Sequence, residues 1–327
     1  MSDPAGKIFR VLPRQVDETI AAALRQWLPE KSWSEIRRLL QSRRVMLSGN
    51  LCTDAGRRLR LEDLVKVLPQ PLPAPAREQD VRIRFLDAHI VVVEKPAGMT
   101  STRHADEAEL PARKRQLQPT LTELLPRVIA KVERRGGKSR LRPVRPVHRL
   151  DRDTSGLMVF ARTAKAQEHL EQQFRLHTIR RRYLAVVEGD IKQSHTIETR
   201  LVRDRGDGRR GSTSLPNAGR HAVTHVRPVE KLGDYTLVEC RLETGRTHQI
   251  RIHLAESGHP LCGDQVYRQP LFRPGKPDQS GAPRLALCAV ELGFVHPITG
   301  EEMHFEMPLS DDLAQFVENV KRGQNYL

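Results

Sequence analysis

The sequence is poor in cysteine, in lysine, in aromatic residues and in long apolar runs. Four cysteines in 327 residues, at positions 52, 240, 262 and 288, form no CxxC pair. That excludes a disulfide scaffold and a cysteine-rich zinc site. The longest apolar stretches are a few residues, such as 90–93, far short of the ~20 needed to cross a bilayer. Residues 1–14 contain no apolar segment of the kind a secretory leader carries. Aromatics are only 4% of the chain, but eight Phe, four Tyr and two Trp within 38% hydrophobic residues can anchor a core. Disorder is thereby excluded, and a cytoplasmic protein with no membrane contact is expected.

What the chain has in excess is arginine: 43 Arg against 12 Lys, within a net charge of +15. The planar guanidinium donates bidentate hydrogen bonds to phosphate and stacks on flat rings, so nucleic acid is the first partner to consider. Charge alone identifies no partner, and the same residues also make a soluble cationic surface.

Three regions separate along the chain. In residues 13–70, Asp17 is expected to cap a helix with Ile20, Leu24 and Leu28 on one face. Ser32 and Glu35 form a capping box, and Trp33, Ile36, Leu39 and Leu40 give the apolar stripe of a second helix. Arg37, Arg38, Arg43 and Arg44 cluster on its exposed side and end, candidates for RNA contact. Short strands at 45–47 and 64–68 flank a Ser48-Gly49-Asn50 turn. Alternate prolines from Pro69 to Pro75 favour extended polyproline II, a semi-rigid linker across 71–80. From residue 81 to 327 strands dominate, beginning with 81–86 and 90–94 around an Asp87-Ala88-His89 turn. A basic stretch, 103–146, reads as an insertion facing RNA, with one helix at 120–132; a second basic, Gly-rich loop runs over 203–220.

The chemistry concentrates in a few runs. His148-Arg149-Leu150-Asp151-Arg152-Asp153-Thr154-Ser155-Gly156 precedes an apolar strand, and its tight turn can hold Asp151 at the mouth of a sheet. Arg181-Arg182-Tyr183-Leu184-Ala185-Val186-Val187-Glu188-Gly189 reads as a strand entering a turn. Gly245-Arg246-Thr247-His248-Gln249-Ile250-Arg251-Ile252-His253-Leu254 alternates as a strand would and runs on to Gly258-His259-Pro260-Leu261-Cys262-Gly263-Asp264-Gln265-Val266-Tyr267. On that strand His248 and His253 would point to opposite faces. With no HExxH or Cys partner nearby, a metal site is not expected.

These runs, in this order, resemble the RluA-type RNA pseudouridine synthases, over the chain from about residue 81 to its end. The 13–70 region resembles an S4 domain, the small RNA-binding module common at the N-terminus of that family. The resemblance implies an α+β fold: a mixed, mainly antiparallel sheet with an RNA-binding cleft, plus a small α/β S4 domain. It implies isomerisation of uridine to pseudouridine, in large-subunit ribosomal RNA by analogy, with no cofactor and no metal.

Residue by residue, the resemblance makes Asp151 the catalytic aspartate, with Asp153 left to the turn. Arg246 is the arginine that pairs with Asp151, and Tyr183 the tyrosine that stacks on the target base. Ile250, four residues beyond Arg246, is expected on the same strand face as an apolar floor under the uracil. Arg149 and His148 are expected at the substrate. The reaction itself asks for this set. It needs a carboxylate as nucleophile or base, an extruded base, and a pocket that retains the detached uracil. A structural reading stands beside each residue: a turn-capping Asp, a phosphate-binding Arg, a core Tyr. The rival to an enzyme is a non-catalytic RNA-binding or ribosome-assembly factor on the same fold. After Lys95-Pro96-Ala97-Gly98 the chain departs from the family pattern, with Met99-Thr100-Ser101-Thr102-Arg103-His104 leading into the insertion.

Overall fold

The computed structural model describes residues 7–48, 50–61, 63–68, 77–103, 119–133, 141–206, 209–215, 217–268 and 278–323. The chain divides into two compact units, Met1–Ala74 and Pro75–Leu327. Residues 69–76 around the proline-rich linker, residues 104–118 and 134–140 of the 103–146 insertion, and residues 207, 208 and 216 of the 203–220 loop lie outside the described residues.

In the N-terminal unit, strands β1 (Lys7–Arg10), β2 (Val45–Leu47), β3 (Asn50–Leu51) and β4 (Leu64–Val67) form an antiparallel sheet in the order β1-β4-β2-β3. Helices α1 (Ile20–Trp27) and α2 (Trp33–Gln41) supply Ile20, Leu24, Ile36 and Leu40, which pack with Val45 and Val65 of the sheet. The capping box of α2 is present: Ser32 Oγ accepts from Glu35 N at 3.3 Å, and Glu35 accepts from Ser32 N at 2.7 Å. A cap of this kind contributes ~1 kcal/mol.

Two expectations fail here. Asp17 does not cap α1; it sits in the left-handed region at φ 65°, and Thr19 is the N-cap, accepting from Ala22 N. Trp33 is not part of the apolar stripe of α2: it lies at the first helical position, 51% exposed. Trp27, by contrast, stacks on Phe9 with ring centroids 4.9 Å apart.

The larger unit is α+β, built on an 11-stranded sheet. Its strands are β5 (Arg82–Leu86), β6 (Ile90–Lys95), β7 (Arg145–Pro146), β8 (Ser155–Ala161), β9 (Arg180–Glu188), β10 (His195–Val202), β11 (Gly211–Thr213), β12 (Arg220–Leu232), β13 (Tyr235–Leu242), β14 (Leu287–Val295) and β15 (Glu302–Glu306). The order is β11-β10-β12-β13-β9-β14-β8-β6-β5, with β15 on β14 and β7 on β8. Among the described residues every pairing is antiparallel except β8 with β14. Helices α3 (Leu121–Glu133), α4 (Ala164–Arg175), α5 (Gln249–Glu256) and α6 (Asp311–Lys321) cover the two faces. Tyr183, Ala185 and Val187 of β9 face α3 and α5, while Val186 packs with Leu313, Phe316 and Val317 of α6. With both faces covered, β8 is buried along its whole length and β6 is buried and apolar from Ile90 to Val93. No helix is long and apolar enough to cross a membrane, among the described residues.

The segment read as an alternating strand, residues 246–254, is instead a short turn leading through His248 into helix α5, which begins at Gln249. The helix is buried all round, from Gln249 to Leu254, so no polar face exists to reveal a 3.6-residue period. Its polar side chains find partners inside the protein. Gln249 donates to Val223 O and Thr224 Oγ1 and accepts from Arg246 N and Thr244 Oγ1. His253 lies between Thr224 and Thr199, both hydroxyls at 2.9 Å, and burial lowers its pKa to about 4.

Candidate active site

The turn that carries Asp151 is closed by Thr154 N donating to Asp151 O at 3.2 Å. Two upstream residues pin it. The Ser101 hydroxyl bonds both Leu150 O, at 2.7 Å, and Leu150 N, at 3.1 Å. Lys95, only 1% exposed, donates from Nζ to Arg152 O at 3.0 Å, Met99 O at 2.8 Å and Pro96 O at 3.0 Å. Burial drives Lys95 down to about 7, against the pull of Asp153 and Asp151. Behind the turn, Gly156 at φ 124° packs against β14: a Cβ there would lie 2.2 Å from Ala289 O. The backbone of this turn is therefore fixed, while the Asp151 carboxylate stays partly open, its side chain 16% exposed.

Tyr183 is buried on β9, opposite Cys240 of β13 and Ala289 of β14. It shares a cluster with Leu150 and Ile250. Burial raises the Tyr183 pKa; Arg181 opposes that rise, and Asp151 adds to it. Asp151, Tyr183 and the apolar Ile250 are thus brought to one place, with Ile250 on helix α5 rather than on a strand. Arg149 is exposed, and its guanidinium has no hydrogen-bond or ion-pair partner among the described residues. Asp153 is exposed on the turn.

Two expected site residues are differently placed. Arg246 does not pair with Asp151: its Nε donates to His221 O at 2.9 Å. Among the described residues, the basic group within 4 Å of the Asp151 carboxylate is His248, with Nε2 3.8 Å from Oδ1. His248 opens α5 in the left-handed conformation at φ 60°, a consequence of the helix that a strand reading could not contain. The His148 ring is engaged by the sheet and by helix α4. Its Nε2 accepts from Val159 N at 3.1 Å, between the residues of β8 that pair with β14 and those that pair with β7. The ring stacks on Phe174 at 4.7 Å. Burial, with Arg181 nearby, lowers the His148 pKa to about 3, so the ring stays neutral and keeps its acceptor.

Sequence reasoning missed Lys95, His248 and a buried clamp in which Arg251 Nε and Nη2 grip Asp264 at 2.7 and 2.8 Å. Among the described residues, one group of His and carboxylates has metal-like spacing, Glu291, His304 and Glu306. Arg182 already pairs there with Glu291 at 2.5 Å and Glu306 at 2.8 Å. In the N-terminal unit, Arg37 and Arg38 are exposed, while Arg43 and Arg44 are half-buried. Arg44 Nε is engaged by Leu68 O at 2.8 Å.

A carboxylate on a rigid turn beside a buried tyrosine, on a mainly antiparallel sheet, matches a known class. The model of the family described as RNA pseudouridylate synthase matches residues 89–256. YlyB of Bacillus subtilis, named an uncharacterized RNA pseudouridine synthase, is 34% identical, over 94% of this chain and 95% of its own. Ribosomal large subunit pseudouridine synthase D of Zymomonas mobilis is 36% identical, over 89% of this chain and 90% of its own. Among solved structures, human RNA pseudouridylate synthase domain containing 4 shares the fold, with a TM-score of 0.58 at 22% identity, covering 74% of this chain and 93% of that one. The chain belongs to the RNA pseudouridylate synthase family. It is an enzyme that isomerises uridine to pseudouridine in RNA.

Proposed function

We propose that this enzyme modifies large-subunit ribosomal RNA in the cytoplasm, with Asp151 as its catalytic carboxylate and no metal or cofactor. The observation that carries the assignment of Asp151 is its placement: a partly exposed carboxylate on a turn whose backbone is held by Lys95 and Ser101. Preorganisation of that kind keeps a reacting group aimed without cost at the moment of reaction. The large-subunit target is supported by similarity to synthase D of Zymomonas mobilis.

In this reading Arg149, exposed and unpaired, fills the space left by the extruded base. Tyr183 stacks on the uracil, and Ile250 closes the apolar side so that the detached base is retained while it turns. Arg246 moves from His221 O toward Asp151 when RNA binds. The N-terminal unit acts as an S4-type RNA-binding module, with Arg37, Arg38, Arg43 and Arg44 contributing contacts to phosphate.

Asp151→Asn tests the assignment, since it removes the charge and keeps the size. Isomerisation is followed by tritium release from large-subunit ribosomal RNA carrying 5-tritiated uridine, because the C5 hydrogen leaves when C5 joins C1′. The expected result is no release, with RNA affinity within a few-fold of wild type and a wild-type rate unaffected by EDTA. Turnover by Asp151→Asn refutes the role of the carboxylate; loss of activity in EDTA that a divalent metal restores, on RNA whose fold is intact, refutes the metal-free reading.

A further inference from the structure

The imidazole that lies within 4 Å of the Asp151 carboxylate is itself held in an unusual way. His248 occupies the left-handed region at φ 60°, a conformation that costs free energy for a residue with a side chain and persists where surrounding structure enforces it. The enforcement is visible: Ile252 N donates to His248 O at 2.9 Å in the first turn of α5. The ring meets Tyr267 edge-on, at 75°, and its Nδ1 lies 2.7 Å from the Tyr267 hydroxyl. Tyr267 is fixed in turn, its N–H donating to Asp264 Oδ1 at 3.1 Å. Asp264 is the carboxylate gripped by Arg251 from α5, and the Arg251 guanidinium sits 5.0 Å above the Tyr267 ring. The imidazole is thus clamped from two segments of chain, and its other nitrogen, Nε2, faces Asp151.

We propose that His248 and Tyr267 are positioning residues for the reaction, the Tyr267 hydroxyl donating to Nδ1 so that His248 presents a neutral Nε2–H to the Asp151 carboxylate. The proton of one ring nitrogen is set by the bond the other makes, and a donor at Nδ1 places it on Nε2. Burial supports both halves of the arrangement. It pushes the Tyr267 phenol up, so that it keeps its proton to donate. It also pushes His248 down. The charged groups acting on His248 are Asp151 and Asp264, which favour the cation, and Arg251 and Arg210, which oppose it.

Neutrality matters to the chemistry. A cation at this place would pair with the carboxylate and blunt it as a nucleophile or base. A neutral N–H leaves its charge in place and selects its orientation. At 3.8 Å the contact is longer than a hydrogen bond, so a small rotation of Asp151 makes it, and His248 becomes a stop for that rotation.

The inference rests on Asp151 as the catalytic carboxylate, and the tests separate the two. With histidine-selective 15N labelling of the full chain, two-bond proton–nitrogen correlations report the tautomer directly. Wild type should show His248 as the Nε2–H form alone from pH 6 to 8, and Tyr267→Phe a mixture of tautomers. In the tritium-release assay on large-subunit ribosomal RNA, His248→Asn retains a side chain tolerated at left-handed φ but loses the reach of Nε2. Its kcat should fall ~10-fold or more with KM within ~3-fold. His248→Gln, which restores a neutral N–H near that position, should recover most of the loss. A purely structural histidine would show no such rescue. An imidazolium or an Nδ1–H form in the wild type, or a wild-type kcat in His248→Asn, overturns the proposal while leaving Asp151 untouched. Turnover by Asp151→Asn overturns the reading beneath it instead.

Discussion

Replacing Lys95 with Met should change how the stability of the larger unit depends on pH. In the folded protein burial brings the Lys95 pKa from 10.5 to about 7. The unfolded chain therefore holds this proton over a range in which the folded protein has released it, and stability rises with pH across that window. The contribution is full above 10.5 and is lost as pH falls toward 7. Each pKa unit corresponds to ~1.4 kcal/mol, so moving from pH 7 to pH 9 should stabilise wild type by ~2 kcal/mol through this one group. Lys95→Met has no such proton, although it leaves three carbonyls without their donor, at a cost of ~1–3 kcal/mol for each that stays dry. The measurement is urea denaturation followed by amide exchange in β8 and β14, for both proteins, from pH 6 to pH 9. The difference in stability should widen in favour of wild type by ~2 kcal/mol between pH 7 and 9. A difference that stays flat would mean that the carbonyls of Pro96, Met99 and Arg152 keep the ammonium charged, and the burial argument would be wrong.

Tyr183→Phe should bind RNA nearly as wild type but lose ~10²–10⁴ in rate if the phenolic oxygen takes part in removing the C5 proton; because burial raises the Tyr183 pKa, the resting side chain is a neutral phenol that must pass on its own proton as it accepts another. Single-turnover kinetics decide this, and a wild-type rate would leave Tyr183 as a stacking surface only. Gly156→Ala places a Cβ against the Ala289 backbone at a φ that disfavours side chains, and should cost ~3–5 kcal/mol in denaturant titrations; a loss below 1 kcal/mol would show that β14 yields at this point. A chain beginning at Arg77 should keep tritium release on short target fragments but bind long RNA more weakly, its salt slope shallower by ~0.7–0.9 for each phosphate contact removed. An unchanged slope would mean that the N-terminal unit does not touch that RNA.

Local signals carried much of this fold. The Ser32–Glu35 box, the Asp87 turn and the strand that opens on the apolar 90–93 run are each written in adjacent residues, and each forms where the sequence places it. The elements that failed depend on distant partners. Helix α5 is hidden because Gln249, Arg251 and His253 are polar and yet buried, satisfied by Thr224, Thr244, Asp264 and other residues outside the helix. His148 resembled a site residue because it adjoins Asp151 in sequence, but its role is set by Val159 and Phe174. Lys95 and His248 become visible only once two segments meet at the Asp151 turn. Motif resemblance pointed to Asp151, Tyr183 and Ile250, which the fold brings near one another. It could not show that Arg246 Nε donates to His221 O.

The distribution of tryptophan has a spectroscopic consequence. The two tryptophans of the chain, Trp27 and Trp33, both lie in the N-terminal unit, one stacked on Phe9 and the other standing out at the start of α2 beside the exposed Arg37. Indole emission from this protein therefore comes entirely from one unit, while the isomerisation takes place in the other, which has no tryptophan. Quenching of Trp33 during an RNA titration would record engagement of the N-terminal unit alone. Recorded beside tritium release from the same sample, it would resolve docking and chemistry as separate events in time, with no dye or label attached to the protein.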